Sequence, residues 1–148
     1  MEMIILNPHF PRSIYYCTQK LSLHISRLST FNEIKSLLDT NSHVCLLAER
    51  HIAKSGIGVE FFNQMAAFPK GPVALSLETQ VPIVPAAFLE IDSNYKLIFG
   101  KPFIVPHFEN DAQSIQHGLK VLSKQLEKLI LLDPNQWHSI QPVWTSEY

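Results

Sequence analysis

Residues 68–88 read FPKGPVALSLETQVPIVPAAF, and the order of signals in that stretch decides the fold class. Phe68-Pro69-Lys70-Gly71-Pro72 is a turn, and Pro72 suits the first position of a helix, where a missing N–H costs nothing. Residues 73–79 then predict a short helix that carries Val73, Leu75 and Leu77 broadly inward. Residues 81–88 follow as an apolar run of strand length. The run contains Pro82 and Pro85, and prolines there predict a strand at a sheet edge or one with a bulge. A turn, a helix and a buried strand in direct succession call for helices packed on a sheet.

The flanking sequence extends the same pattern. Upstream, residues 43–48 (HVCLLA) form a continuous apolar run between polar neighbours, as expected of a buried strand in a parallel or mixed sheet. Before it, Thr30 and Glu33 have the spacing of a capping box. The helix they open places Ile34, Leu37 and Leu38 on one face and ends near the polar residues 39–42. Residues 1–6 predict a short strand stopped by Asn7-Pro8 and Pro11. Residues 13–28 have no clean period and read as irregular or as two short strands. A loop with Gly56 and Gly58 leads to residues 59–62.

Downstream, Ser93-Asn94 marks a hairpin turn into residues 95–99, where Tyr95, Leu97 and Phe99 alternate with Lys96 and Ile98. Residues 103–105 follow, closed by Pro106. Residues 112–132 carry the strongest helical signal, with Ile115, Leu119, Leu122, Leu126 and Leu129/Ile130 on one face. Asp133-Pro134 ends it. The expected fold is α/β, a mixed sheet flanked by helices, in a single domain over residues 1–148.

Composition narrows the function classes. With 46% hydrophobic and 17% charged residues, the 148-residue chain is neither disordered nor collagen-like and can build a core. The formal net charge is -1 with both signs interspersed. There is no basic stripe for a nucleic acid, and binding to an anionic membrane would need a local patch. No apolar segment reaches the length of a membrane span, so any membrane role is expected at the surface. Cys17 and Cys45 lie far apart without metal-ligand spacing, and Cys45 reads as a small buried residue. None of the seven histidines falls in a metal-binding motif. Nucleophile elbow, P-loop and GxGxxG motifs are absent too, so neither a metal nor another cofactor is expected.

Three places could carry chemistry. Glu49-Arg50-His51 stands at the carboxyl end of the 43–48 strand, where open α/β sheets collect ligands, and could orient a polar head group or hold a phosphate. A surface salt-bridge turn explains the same residues. Phe61-Phe62 could line an apolar groove for an acyl chain, although core packing is the commoner fate of such pairs. Gly71 could allow a ligand close to the backbone at a helix start, or simply serve a turn.

From about residue 34 to residue 144 the chain resembles the lipid A biosynthesis lauroyl/myristoyl acyltransferases, a branch of the glycerolipid acyltransferase fold. The likeness lies in four ordered segments. LLAER (46–50) is a strand ending in an acid, where the family usually has Asp. GVEFFN (58–63) is similar to the family's GV-x-FFG, with Asn63 in place of Gly. The 68–88 stretch is similar to the family's Gly-Pro turn, helix and proline-containing strand. PNQWHSIQPVW (134–144) is similar to the closing P-x-QW and Arg-Trp, with Val143 where Arg is usual.

The resemblance implies transfer of a fatty acyl chain from acyl carrier protein to a lipid A precursor, at the cytoplasmic face of the inner membrane. It implies substrate-site roles for Glu49, Arg50, Phe61, Phe62 and Gly71. The family also carries a His followed five positions later by Asp or Glu, a general base and the acid that orients it. Here the positions five after each histidine are Ile14, Ser29, Ala48, Gly56, Ala112, Leu122 and Val143. None is acidic. The expectation is therefore an incomplete fold, a truncated or split member that is inactive alone. The alternative is a non-catalytic lipid- or acyl-binding remnant.

Overall fold

The computed structural model describes residues 2–5, 31–40, 42–47, 56–92, 94–137 and 143–144. In chain order the elements are β1 (Glu2–Ile5), α1 (Phe31–Asp39), β2 (Val44–Leu47), β3 (Ile57–Phe61), β4 (Gln64–Phe68), α2 (Gly71–Thr79), β5 (Ile83–Ile91), β6 (Asn94–Phe99) and α3 (Asp111–Ile130). A 3-10 turn at Pro134–Gln136 follows. Strands β2, β1, β5 and β6 form one sheet in that order, and β3 and β4 form a separate hairpin. The expected arrangement of helices on a sheet is present. Residues 43–48 suggest a parallel or mixed sheet by their apolar run, but every ladder among the described residues is antiparallel.

The helical periodicities translate directly into burial. Leu119, Leu122 and Leu126 of α3 are fully buried, with Leu129 and Ile130 close behind. Leu119, Leu122, Leu126 and Ile130 meet Val73, Leu75 and Leu77 of α2, Leu38 of α1, Ile83 of β5 and the hairpin residues Val59, Phe61 and Phe68 in one core. Full burial of each Leu or Phe stabilises by roughly 1.5–3 kcal/mol before the entropy of ordering is subtracted. Cys45 lies elsewhere, buried with Ala86 against Leu97 and Phe99, a core residue as expected.

Local chemistry sets the ends of the elements. The Asn110 side chain accepts the Gln113 N–H at 2.9 Å and caps α3. Helix α2 begins two residues ahead of the expected 73–79, at Gly71, with the Ala74 N–H bonded to the Lys70 carbonyl at 2.9 Å. It ends at Gln80, whose φ of 55° is left-handed and whose N–H reaches the Ser76 carbonyl. Thr30 and residues 13–28 lie outside the described residues.

Pro82 precedes β5 and Pro85 lies within it; neither marks a sheet edge, since β5 lies between β1 and β6, and the bulge is on the segment facing Pro85 rather than in β5. Ile83 pairs with Phe103, and Ala86 pairs with Phe99. Val84 and Pro85 fill the interval on the β5 side, whereas Gly100, Lys101 and Pro102 fill it on the other. The facing segment therefore carries one extra residue, the mark of a bulge. Pro85 has no N–H to offer the ladder, and its carbonyl accepts the Gly100 N–H at 2.7 Å.

Lys101, within the bulged segment, is held from outside the sheet. The Gln125 carboxamide of α3 accepts the Lys101 N–H at 2.7 Å and donates to its carbonyl at 2.8 Å. Gln136 does the same for Glu90, accepting its N–H at 2.7 Å and donating to its carbonyl at 2.9 Å. Glu90 lies beyond Ala86, the last residue of β5 that β1 reaches among the described residues.

Candidate functional site

The hairpin of β3 and β4 was not legible as a hairpin in the sequence, and it carries the most distinctive geometry in the fold. Phe61 pairs with Gln64, leaving a two-residue turn of Phe62 and Asn63. Their φ angles are 49° and 60°, both left-handed, as a type I′ hairpin turn requires. Asn is the non-glycine residue best suited to that conformation, so Asn63 keeps the turn that the family's Gly would make. Phe62 is the unusual member, because a bulky aromatic side chain rarely adopts a positive φ.

Contacts from distant segments hold this turn. The Phe62 N–H donates to Glu127 Oε1 of α3 at 2.7 Å, and the Phe61 carbonyl accepts Trp144 Nε1–H at 3.0 Å. Trp144 is set in place by a backbone bridge to Ala66 of β4. Glu127 also accepts from Lys124 Nζ at 2.9 Å, and the same ammonium reaches Glu60 at 3.0 Å. Donating hydrogen bonds to Glu127 and then to Glu60 raises the Lys124 pKa, while accepting the bond from Lys124 lowers that of Glu60.

An aromatic cluster surrounds the turn. The Phe61 ring stands 4.7 Å from Phe62, 5.2 Å from Phe68 and 5.9 Å from Trp137, all edge-on. Phe62 and Trp137 are 6.2 Å apart, and Trp137 and Trp144 are 6.0 Å apart. Trp137 also lines a small pocket with Phe88, Leu129, Asp133 and Gln136. Its buried Nε1 has no hydrogen-bond partner among the described residues.

The expected site residues divide accordingly. Phe61 is fully buried and belongs to the core, while Phe62 is half-buried at the turn. Gly71 opens α2 with no atom within 4 Å of where a Cβ would stand, so the fold leaves open space there. Glu49, Arg50 and His51 lie outside the described residues, as do Cys17 and His138. His117 is exposed on α3, its ring 5.2 Å from Phe108. Sequence reasoning missed Glu127, Gln125 and Gln136, since nothing in a helical or turn pattern marks which polar side chain will reach a backbone group. Among the described residues no cluster of His, Cys, Asp and Glu could hold a metal, and no helix is long and apolar enough to cross a membrane.

The α/β architecture, the aromatic turn and the closing QW segment agree with the match of residues 17–146 to the bacterial lipid A biosynthesis acyltransferase family, and the chain belongs to that family. It is similar to the phosphatidylinositol mannoside acyltransferase of Mycolicibacterium smegmatis, 26% identical over 118 residues, which cover 79% of this chain and 37% of that protein. It is also similar to the protein of the same name from Mycobacterium tuberculosis (strain ATCC 25618 / H37Rv), 25% identical over 120 residues, covering 79% of this chain and 35% of that one. The chain thus spans about a third of the length of the curated relatives it matches.

Proposed function

We propose that the chain handles a fatty acyl group in a lipid acyltransferase reaction, from acyl carrier protein to a lipid A precursor or another glycolipid hydroxyl, and has little turnover alone. The observation that carries this reading is the family match over residues 17–146 in a chain whose seven histidines all lack an acid five positions on. A hydroxyl attacking a thioester needs a base to take its proton, and a lone imidazole lacks the acid that orients it. In this reading the half-buried Phe62 meets the acyl chain, and the fully buried Phe61 backs it from the core. Glu49 and Arg50 meet the acceptor's head group, and Gly71 leaves room for its approach. The reaction takes place at the cytoplasmic face of the inner membrane, with the protein on the membrane surface. The names of the mycobacterial relatives support a glycolipid acceptor without choosing lipid A.

The test is an assay of the purified chain with acyl carrier protein thioesters and either lipid A precursor or phosphatidylinositol mannoside, read by mass spectrometry. No product above the uncatalysed background is expected. Turnover at the rate of a full-length family member would overturn the claim of low activity. The absent His–acid pair also favours a second reading, a non-catalytic acyl-binding module. Thermal stabilisation by long-chain acyl ligands without turnover would distinguish it.

A further inference from the structure

We infer that the pocket between the end of α3 and β5 binds a single neutral hydroxyl group, held by the Trp137 indole N–H and the backbone of Phe88. This site is separate from the acyl-handling reading above and does not rest on it. The pocket is about 30 Å³ in volume, and Phe88, Leu129, Asp133, Gln136 and Trp137 are among the residues that line it. A bound water needs on the order of 10–15 Å³, so one small group fits and an acyl chain does not. Most of the polar groups around it already have partners. The Asp133 carboxylate accepts from the Asn135 N–H at 3.2 Å and from Gln136 Nε2 at 2.7 Å, and Gln136 holds both backbone groups of Glu90. The Trp137 Nε1–H is the exception, buried and without a partner among the described residues. A buried donor left in that state is costly, and nearly all such groups in folded proteins find an acceptor.

The register of β5 supplies a second donor and an acceptor. Backbone groups along a strand turn alternately to its two flanks. The Pro85 carbonyl turns to Gly100 on the β6 side, and the Glu90 pair turns to Gln136 on the opposite flank. Phe88, two positions from Glu90, therefore turns its N–H and carbonyl to the flank where Gln136 sits. Among the described residues β1 pairs with β5 no further than Ala86, so no strand stands opposite Phe88 there. Two N–H donors and one carbonyl thus belong to residues that line one pocket. An apolar guest would leave all three unmet. A carboxylate or phosphate would satisfy the donors but would face the Asp133 carboxylate, a like charge. A ketone or an ether has no hydrogen for the Phe88 carbonyl. A hydroxyl accepts twice and donates once, which gives it three bonds, the usual number for a buried water. Its oxygen can belong to water or to an alcohol such as glycerol or a sugar.

The chain has two tryptophans, and the second is a built-in control, because the Trp144 N–H already donates to the Phe61 carbonyl. The test is NMR on the nitrogen-15-labelled full chain, reading the two indole N–H signals and the Phe88 amide. A bound water gives NOE and ROE cross-peaks of opposite sign, which separates it from chemical exchange. Such cross-peaks are expected at Trp137 and Phe88 and not at Trp144. Glycerol and methyl mannopyranoside are then titrated in. Cross-peaks that persist unchanged identify the occupant as water. Their replacement by saturable shifts at Trp137 and Phe88, with Trp144 still, identifies an alcohol. Trp137→Phe, which loses the donor, should abolish the Phe88 cross-peak and speed exchange of that amide about tenfold, the scale of one lost hydrogen bond. The wild-type spectra carry the test if that variant does not fold. Cross-peaks and shifts at neither donor, or at only one of them, would overturn the site. The first result would mean that the Trp137 N–H faces one of the rings around it, since Phe61 and Trp144 both stand edge-on to it.

Discussion

Gly118 offers a test in which two opposing effects can be weighed. It lies in the interior of α3, where replacing Gly by Ala ordinarily stabilises by about 1 kcal/mol. Here a Cβ would stand 2.5 Å from Val73 Cγ1 and 3.0 Å from Val105 Cγ2. Carbon atoms pack best at roughly 3.5–4.0 Å, so the overlap is about 1 Å with one methyl and half that with the other. Val73 and Val105 are both fully buried, and a valine side chain has little rotamer freedom with which to move aside. Overpacking of this kind costs typically about 1–3 kcal/mol, and the crowding should exceed the propensity gain. Gly118→Ala is therefore expected to destabilise by about 1 kcal/mol, a fall of roughly 2–4 °C in Tm. Val73→Ala removes the nearer methyl, so the double variant should be less destabilised than the sum of the singles by about 1 kcal/mol. Calorimetry or urea unfolding of the four proteins measures this. A Gly118→Ala protein that melts at or above wild type would refute the reasoning.

Three further outcomes follow from the hairpin and the bulge. Asn63→Gly should leave unfolding stability within about 0.5 kcal/mol of wild type, whereas Asn63→Ala should lose about 1 kcal/mol because its φ is 60°; chemical denaturation separates the two. Gln125→Leu should cost about 1–3 kcal/mol by leaving both backbone groups of Lys101 without their partner, and hydrogen exchange at the Lys101 amide should accelerate. The folded Glu60 pKa lies below its ordinary value, so its share of stability is present above the unfolded pKa and lost as pH falls through the folded one. Lys124→Ala should raise the Glu60 pKa in an NMR titration and remove that part of the acid dependence.

Helices and buried strands were the most legible parts of the sequence. The α3 periodicity and the apolar runs of β2 and β5 each depend on neighbours a few positions apart, and the structure reproduces them with small shifts at the ends. The hairpin was hidden because its turn is Phe-Asn rather than Asn-Gly, and the aromatic residue masks the left-handed signal. Pro82 and Pro85 pointed to a strand at an edge or with a bulge, and only the pairing on both sides excludes the edge and puts the extra residue on the facing segment. The site was legible in pieces. The FF and QW segments stood out separately, but Phe61 and Trp144 are 83 positions apart and meet only through the fold. Glu127 was invisible because its carboxylate serves a backbone N–H 65 positions away.

The two glutamine carboxamides that bond to Lys101 and Glu90 bear on how the molecule meets its neighbours. Among the described residues no strand pairs with this flank of β5 at Glu90, and an exposed N–H and carbonyl there would be a landing place for a strand from another molecule. Gln136 occupies both groups. A foreign strand would have to displace a side chain tethered by the turn after α3 before the sheet could grow in that direction. The same carboxamide that completes the fold's own hydrogen bonding thus acts as a stopper against association of the sheet with copies of itself.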